Sequence, residues 1–366
     1  MRSLVRLRAA TARSAAAAIA LVLAVALAGC STTTTGSTAQ AGPVAPEDII
    51  MVSEVRSLTN PYEAAWVEGS KAYAESVGVE LKTIVYNGDS QQALAQLQSV
   101  LATGRTVLLN INPNSTADTP AIVAAVKNAG GRVVTQWSKP DDLNPWDIGD
   151  SWVAYAGYDG VEQGRETGRV LAESMGGTGG VVALQGLLSN DISTERFNGL
   201  QEALSGAPGV RLLDAQPADF DRTKAYTTTK TLLSKYGREV TGIWAATDSM
   251  ALGAIQAVSE SGRTDVRIAS SADATPEGLQ AIEAGRMVAT YTTDPYFNGA
   301  MGLALAYRAA TGELDVAGLP ESDRAFYVRQ FLVTAENAAQ YATPPTPEQI
   351  VESVRNPLER NAGRIS

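Results

Sequence analysis

Ile49-Ile50-Met51-Val52, Leu81-Lys82-Thr83-Ile84-Val85, Val107-Leu108-Leu109-Asn110-Ile111 and Arg132-Val133-Val134-Thr135 are four short runs of mainly aliphatic and β-branched residues. Between them lie Pro61–Val77, Gln91–Ala102 and Pro120–Asn128, where Ala, Leu and Val recur three and four residues apart. That spacing predicts strands alternating with amphipathic helices. Alternation of this kind closes as a parallel sheet, because each helix carries the chain back over a sheet face in a right-handed crossover.

Working outward, a loop rich in Pro, Asp and Trp, Lys139 to Trp152, interrupts the rhythm, which then starts again. Strands are expected at Val153–Ala156, Gly180–Leu184, Val210–Ala215, Gly242–Ala246, Val266–Ala269 and Val288–Thr292. Helices are expected near Val161–Ser174, Thr194–Leu204, Arg222–Ser234, Ser249–Ser261, Thr275–Ala284 and Pro295–Ala310. A chain of 366 residues, 45% of them hydrophobic, exceeds the usual size of one core. The expected fold is therefore α/β, two doubly wound parallel-sheet lobes joined by a three-strand hinge. Residues 47–157 with 294–328 would form one lobe and 158–293 with 329–342 the other. The crossings would lie near Tyr155–Tyr158, Thr292–Asp294 and Val328–Gln330. A ligand is expected between the lobes, where loops at the carboxyl ends of parallel strands converge. The stretch 343–366, with Pro344, Pro345 and Pro347 and little apolar material, reads as a short strap or tail.

The amino terminus carries a different signal. Arg2, Arg6, Arg8 and Arg13 precede an uncharged apolar run from Ala15 to Ala28, and Leu27-Ala28-Gly29-Cys30 follows with the only cysteine of the chain. A basic start, a short apolar core and small residues before a cut describe a secretory signal peptide, here residues 1–29. The run is short of the roughly 20 apolar residues that a membrane span needs. The Leu-Ala-Gly-Cys motif resembles the bacterial lipoprotein lipobox, which implies lipid on Cys30, an extracytoplasmic location and a membrane anchor. Residues 30–46, rich in Ser, Thr, Gly, Ala and Pro, would be a flexible tether. Removing residues 1–29 takes away those four arginines and no acid, which moves the net charge from −10 to −14. An acidic body of that kind excludes nucleic acid as an expected partner.

Much chemistry is absent from the composition. There is no histidine, which removes the usual general base near neutral pH and the imidazole-built triads and zinc sites. No Gly-x-x-x-x-Gly-Lys-Ser/Thr loop occurs. The cluster Gly176-Gly177-Thr178-Gly179-Gly180 follows a helix and precedes a strand, so it reads as a helix stop and turn. Carboxylates remain, but nothing in their spacing singles out a catalytic pair. Neither an enzyme, a cofactor nor a metal is expected.

Asn60-Pro61-Tyr62, Gln185-Gly186, Gln216-Pro217-Ala218-Asp219-Phe220-Asp221-Arg222, Thr247-Asp248-Ser249-Met250-Ala251-Leu252-Gly253-Ala254-Ile255 and Asp273-Ala274-Thr275-Pro276-Glu277-Gly278 occur in one order and spacing. The series resembles the type I periplasmic sugar-binding proteins, the ribose and galactose receptors of bacterial ABC importers. Lactose-repressor-like regulators share that fold but begin with a helix-turn-helix where this chain has its signal segment. The resemblance implies a lipid-anchored solute-binding protein that captures a monosaccharide or related polyol in the interlobe cleft for an ABC permease. A sensory receptor that presents the bound sugar to a membrane signalling partner is the alternative.

On the same resemblance, Asn60 matches a hydroxyl-binding asparagine, although it is also suited to cap the helix that Pro61 begins. Tyr62 and Phe220 match sugar-stacking aromatics, and Asp273 matches a carboxylate at a strand end. Asp248 reads as a plain helix cap. Four positions depart from the family pattern. Trp137-Ser138 stands where an Asp-Arg pair is usual, Thr247 for an asparagine, Thr293 for a glutamine, and Thr194 for an arginine, with Arg196 two residues later. Trp137 is expected as a stacking platform. The implied ligand set is Asn60, Tyr62, Trp137, Phe220, Thr247, Asp273 and Thr293, whose shortened polar reach implies a ligand larger than ribose or differently substituted.

Overall fold

A computed structural model describes residues 43–365. The signal segment, Cys30 and all of the tether but its last few residues lie outside the described residues.

The first strand, β1 (Ile49–Val55), is buried at every position and is followed by α1 (Pro61–Ser76), β2 (Glu80–Val85), α2 (Ser90–Leu101), β3 (Thr106–Ile111), α3 (Thr119–Asn128) and β4 (Arg132–Gln136). A one-turn helix α4 (Pro145–Ile148), inside the Pro- and Asp-rich loop, leads to β5 (Trp152–Gly157). The second lobe runs α5 (Gly160–Ser174), β6 (Gly179–Gln185), α6 (Asp191–Ser205), β7 (Val210–Pro217), α7 (Arg222–Tyr236), β8 (Val240–Ala245), α8 (Asp248–Glu260), β9 (Arg267–Ser270), α9 (Pro276–Glu283) and β10 (Thr290–Tyr291). The chain then returns through α10 (Pro295–Thr311), α11 (Glu321–Arg324) and β11 (Ala325–Val328), crosses to β12 (Leu332–Val333), and ends in α12 (Pro347–Ser353) and β13 (Asn361–Arg364).

Two parallel sheets result. The first has the order β2-β1-β3-β4-β5-β11-β13, in which only β13 runs antiparallel; the second has the order β7-β6-β8-β9. In each sheet the strand order reverses once, between β1 and β3 and between β6 and β8. Helices on both faces cover nearly continuous apolar strands, as a parallel sheet requires. The glycine cluster at 176–180 ends α5 as expected, with Gly176, Gly177 and Gly179 all at positive φ.

Helices pack closely enough that side chains are excluded at the contact. A Cβ on Gly69 of α1 would meet the Tyr296 carbonyl oxygen at 2.0 Å, and one on Gly299 of α10 would meet that of Trp66 at 1.9 Å. The second lobe repeats the device, with Gly164 of α5 against the Arg196 carbonyl at 1.8 Å and Gly199 of α6 against that of Val161 at 2.1 Å. Each pair is a reciprocal backbone contact that only glycine permits.

The chain passes between the sheets at 158–159, 292–294 and 329–331, and again through Thr343-Pro344-Pro345. Of the two readings of 343–366, strap or tail, the last passage has the form of a strap. β13 pairs with β11, Ile365 donates its backbone N–H to Ala325 (3.0 Å), and Ile350 and Val354 are buried in the first lobe's core. β13 lacks an apolar run because as an edge strand it buries little of its surface. Among the described residues no helix is long and apolar enough to cross a membrane.

Candidate functional site

In an open α/β sheet the crevice lies at the carboxyl ends of the strands where the order reverses. Both reversals here face the same space. The loops after β1 (Arg56 to Asn60) and β3 (Asn112 to Asn114) form one wall, and the loops after β6 (Leu187 to Asn190) and β8 (Thr247) form the other. Together with Trp137 after β4, Phe220 after β7 and Asp273 after β9, they line a cavity of about 70 Å³. The walls touch: Thr116 N–H donates to the Ser189 carbonyl (3.1 Å), Ser115 Oγ donates to the same oxygen (3.2 Å), and Asp191 N–H donates to Thr116 Oγ1 (3.3 Å).

Six of the seven residues read from the sequence line this cavity: Asn60, Tyr62, Trp137, Phe220, Thr247 and Asp273. Three of them, Trp137 (φ 72°), Phe220 (φ 57°) and Asp273 (φ 113°), hold left-handed backbone that non-glycine residues rarely adopt. Such conformations cost of order 1–3 kcal/mol each and persist where the surroundings enforce them. Gly186 is part of that enforcement for Phe220, because a Cβ there would fall 2.0 Å from the phenyl ring.

Asn60 caps α1, its Oδ1 accepting from Tyr62 N–H (3.0 Å), which leaves the amide group for the cavity. Tyr62 is buried with its hydroxyl held by Asn298 Nδ2 (2.9 Å) and its ring edge-on to Trp137 (5.8 Å between centroids). Trp137 differs from the expected stacking platform. One face stacks on Tyr158 at 4.7 Å, and the Arg196 guanidinium lies 5.0 Å over the ring. With its faces taken, the indole presents its edge to the cavity, and its N–H has no partner within the chain.

Asp273 is held in place by its own N–H, which donates to the Tyr291 carbonyl (2.9 Å). Burial, reinforced by the nearby Asp248 carboxylate and opposed by Arg196, pushes its carboxyl up to about 8. Asp248 does not cap the helix it begins. Its oxygens accept from Thr275 N–H (2.7 Å), Thr275 Oγ1 (3.0 Å) and Thr290 Oγ1 (2.7 Å), which ties the start of α9 and strand β10 to the Asp273 turn. Burial raises this carboxyl also, against those hydrogen bonds.

Thr293 does not line the cavity. It lies behind the aromatic layer at the crossing into α10, where its carbonyl accepts from Tyr158 Oη (2.8 Å) and Asn298 Nδ2 (2.7 Å). That crossing is stitched to the first sheet by side chains without a distinctive motif. Asn110 Nδ2 and Gln136 Nε2 both donate to the Asn298 carbonyl (3.0 and 2.9 Å), and Tyr158 Oη donates to Asn298 Oδ1 (3.0 Å).

Several lining residues escape the sequence reading, namely Arg56, Glu63, Tyr86, Asn112, Asn114, Asn190 and Arg196. Glu63 turns back to the loop after β1, accepting from Arg56 N–H (3.1 Å) and Ser57 N–H (2.7 Å), while burial pushes its carboxyl up to about 7. Arg196 donates Nε to Gln163 Oε1 (2.7 Å) and Nη1 to the Ala246 carbonyl (3.1 Å). Its only sequence signal is its place two residues after Thr194.

Six buried polar atoms on lining residues lack a partner in the chain: Arg56 Nη1, Asn112 Oδ1, Asn114 Oδ1, Trp137 Nε1, Asn190 Oδ1 and Thr247 Oγ1. Buried polar groups are normally paired, so a concentration of this kind marks a surface shaped for a polar molecule. No group of three or more Asp, Glu, Cys or His side chains suited to a metal occurs among the described residues.

Fold and cleft together define a two-lobed solute-binding protein of the periplasmic type I architecture. The periplasmic binding protein domain model matches residues 55–314, and the chain belongs to the type I periplasmic sugar-binding protein family. It is 31% identical over 284 residues to the ribose import binding protein RbsB of Salmonella typhimurium, covering 78% of this chain and 92% of that protein. It is 30% identical over 254 residues to the D-allose-binding periplasmic protein of Escherichia coli, covering 69% and 81%. Among solved structures, a twin-arginine translocation pathway signal protein from Burkholderia phytofirmans superposes with a TM-score of 0.83 at 38% identity, over 87% of this chain and 98% of that one. The homologues are substrate-binding proteins and not enzymes.

Proposed function

We propose that this protein captures a monosaccharide or related polyol between its lobes and hands it to an ABC permease, from a membrane to which lipid on Cys30 anchors it. The observation that carries the reading is the set of six unpaired buried polar atoms around one small cavity. Acceptors on Asn112, Asn114 and Asn190 suit sugar hydroxyl donors, and donors on Trp137 and Arg56 suit sugar oxygens. Phe220 and Tyr62 add apolar surface for C–H faces. Relatives named for import of ribose and binding of D-allose support the same class of ligand. The wall-to-wall hydrogen bonds favour a closed state that a ligand touching both lobes would select. The mature anchor at Cys30 rests on the Leu27-Ala28-Gly29-Cys30 motif alone, and incorporation of labelled fatty acid, abolished by Cys30→Ser, is its test.

A thermal-shift screen across pentoses, hexoses and inositols tests the ligand class. A ligand at a hundredfold over its Kd adds about 2.7 kcal/mol to stability, so the true ligand raises Tm while its epimers do not. No response to any of them rejects the carbohydrate reading.

A further inference from the structure

Beneath the ligand cavity the first lobe holds a second one of about 80 Å³, lined by Glu54, Tyr86, Ser90, Asn114 and Asp118 together with apolar side chains of α2 and α3. Glu54 is 0% exposed, and neither of its carboxyl oxygens has a hydrogen-bond partner. A carboxyl buried without partners is costly, and such groups are found paired or bound to a cation. Asn114 is fixed beside it. Its Nδ2 donates to the Gly88 carbonyl (3.1 Å) and to Ser90 Oγ (3.0 Å), and its Oδ1 is buried and unpaired. Asp118 supplies a second carboxylate, whose Oδ2 accepts from Ser90 Oγ (2.7 Å) and Ser115 N–H (3.0 Å). The nearby cation Arg56 lines the ligand cavity and not this one.

We infer that this cavity binds a hard divalent cation through Glu54 and Asp118, which line it and not the ligand cavity. The donors are all oxygen, the chemistry that selects Ca²⁺ or Mg²⁺ over softer metals. Two carboxylates balance the charge of a divalent ion. The site stands independently of the ligand reading above, although Asn114 and Tyr86 belong to both cavities.

The test uses chelator-treated protein and calorimetric unfolding with CaCl₂ or MgCl₂, against KCl at matched ionic strength. A saturable rise in Tm with one of the divalent salts, absent in Glu54→Gln, is expected. Tb³⁺ luminescence excited through tyrosine, displaced by Ca²⁺ and weakened in Tyr86→Phe, is the second readout. If Glu54→Gln does not fold, Asp118→Asn carries the same comparison. Divalent salts that move Tm no more than KCl, or variants that respond as the wild type does, overturn the proposal.

Discussion

Trp137 carries a ring whose faces are spent on Tyr158 and Arg196. Its offer to a ligand is therefore one N–H donor rather than a stacking surface. Trp137→Phe keeps the aromatic layer and removes that donor; a net hydrogen bond is worth about 0.5–1.5 kcal/mol, so calorimetric titration should show sugar affinity weakened roughly two- to tenfold. Unchanged affinity would place the indole outside the site. Asp273 gives a second prediction at this scale. Its folded-state value of about 8 lies above the ordinary value of about 4, so over that interval the folded protein holds more protons than the unfolded chain. Stability must then fall as pH rises from about 4 to about 8. Asp273→Asn should flatten that slope in the ligand-free protein, measured by thermal unfolding across the interval; an identical slope would contradict the buried, proton-holding carboxyl. Glu54 and Glu63, raised to about 8 and about 7, contribute in the same direction.

Elements were legible in proportion to the apolar surface they bury. The four opening runs became β1 to β4; β1, β3 and β4 are apolar because the sheet is covered on both faces, whereas β2 lies at the sheet edge with only Ile84 fully buried. β12 spans two residues and β13 reads Asn361-Ala362-Gly363-Arg364, so neither carries a pattern, whereas β10 falls inside the expected Val288–Thr292 run. The site divides similarly. Residues after strand ends within recognisable motifs line the cavity, whereas Asn110, Gln136 and Asn298 act through backbone carbonyls that no spacing announces. Thr293 sits at the crossing into α10 with its carbonyl bonded to Tyr158 and Asn298, a placement that its own sequence neighbourhood does not announce. The glycine contacts between helices yield a prediction here. Gly164→Ala drives a methyl into the Arg196 carbonyl at 1.8 Å, and overpacking typically costs about 1–3 kcal/mol. Chemical denaturation should show that loss, and sugar affinity should fall as well, because α6 carries Arg196 into the cleft. A variant as stable as wild type would refute the close helix contact.

At the scale of the whole molecule, the lobes are joined by the hinge passages and by a strap that returns to the first sheet. Gln330 at one passage is bonded to Gln163 (2.8 Å) and to Glu162 (2.8 Å) on α5, and Phe331 N–H donates to Thr292 Oγ1 (2.9 Å) across two passages. Such connections let the lobes rotate as bodies while the chain stays continuous. Deleting residues 343–365 removes one connection and exposes the edge of β11. Thermal unfolding should show a lower Tm; an unchanged Tm would mean that the strap adds nothing to the fold. The central claim, that a small hydroxyl-rich solute draws the two lobes together, is tested most directly by small-angle X-ray scattering with and without the sugar identified in the thermal-shift screen. The account predicts a smaller radius of gyration when that sugar is bound, and a scattering curve that is the same in both conditions at saturating sugar would contradict it.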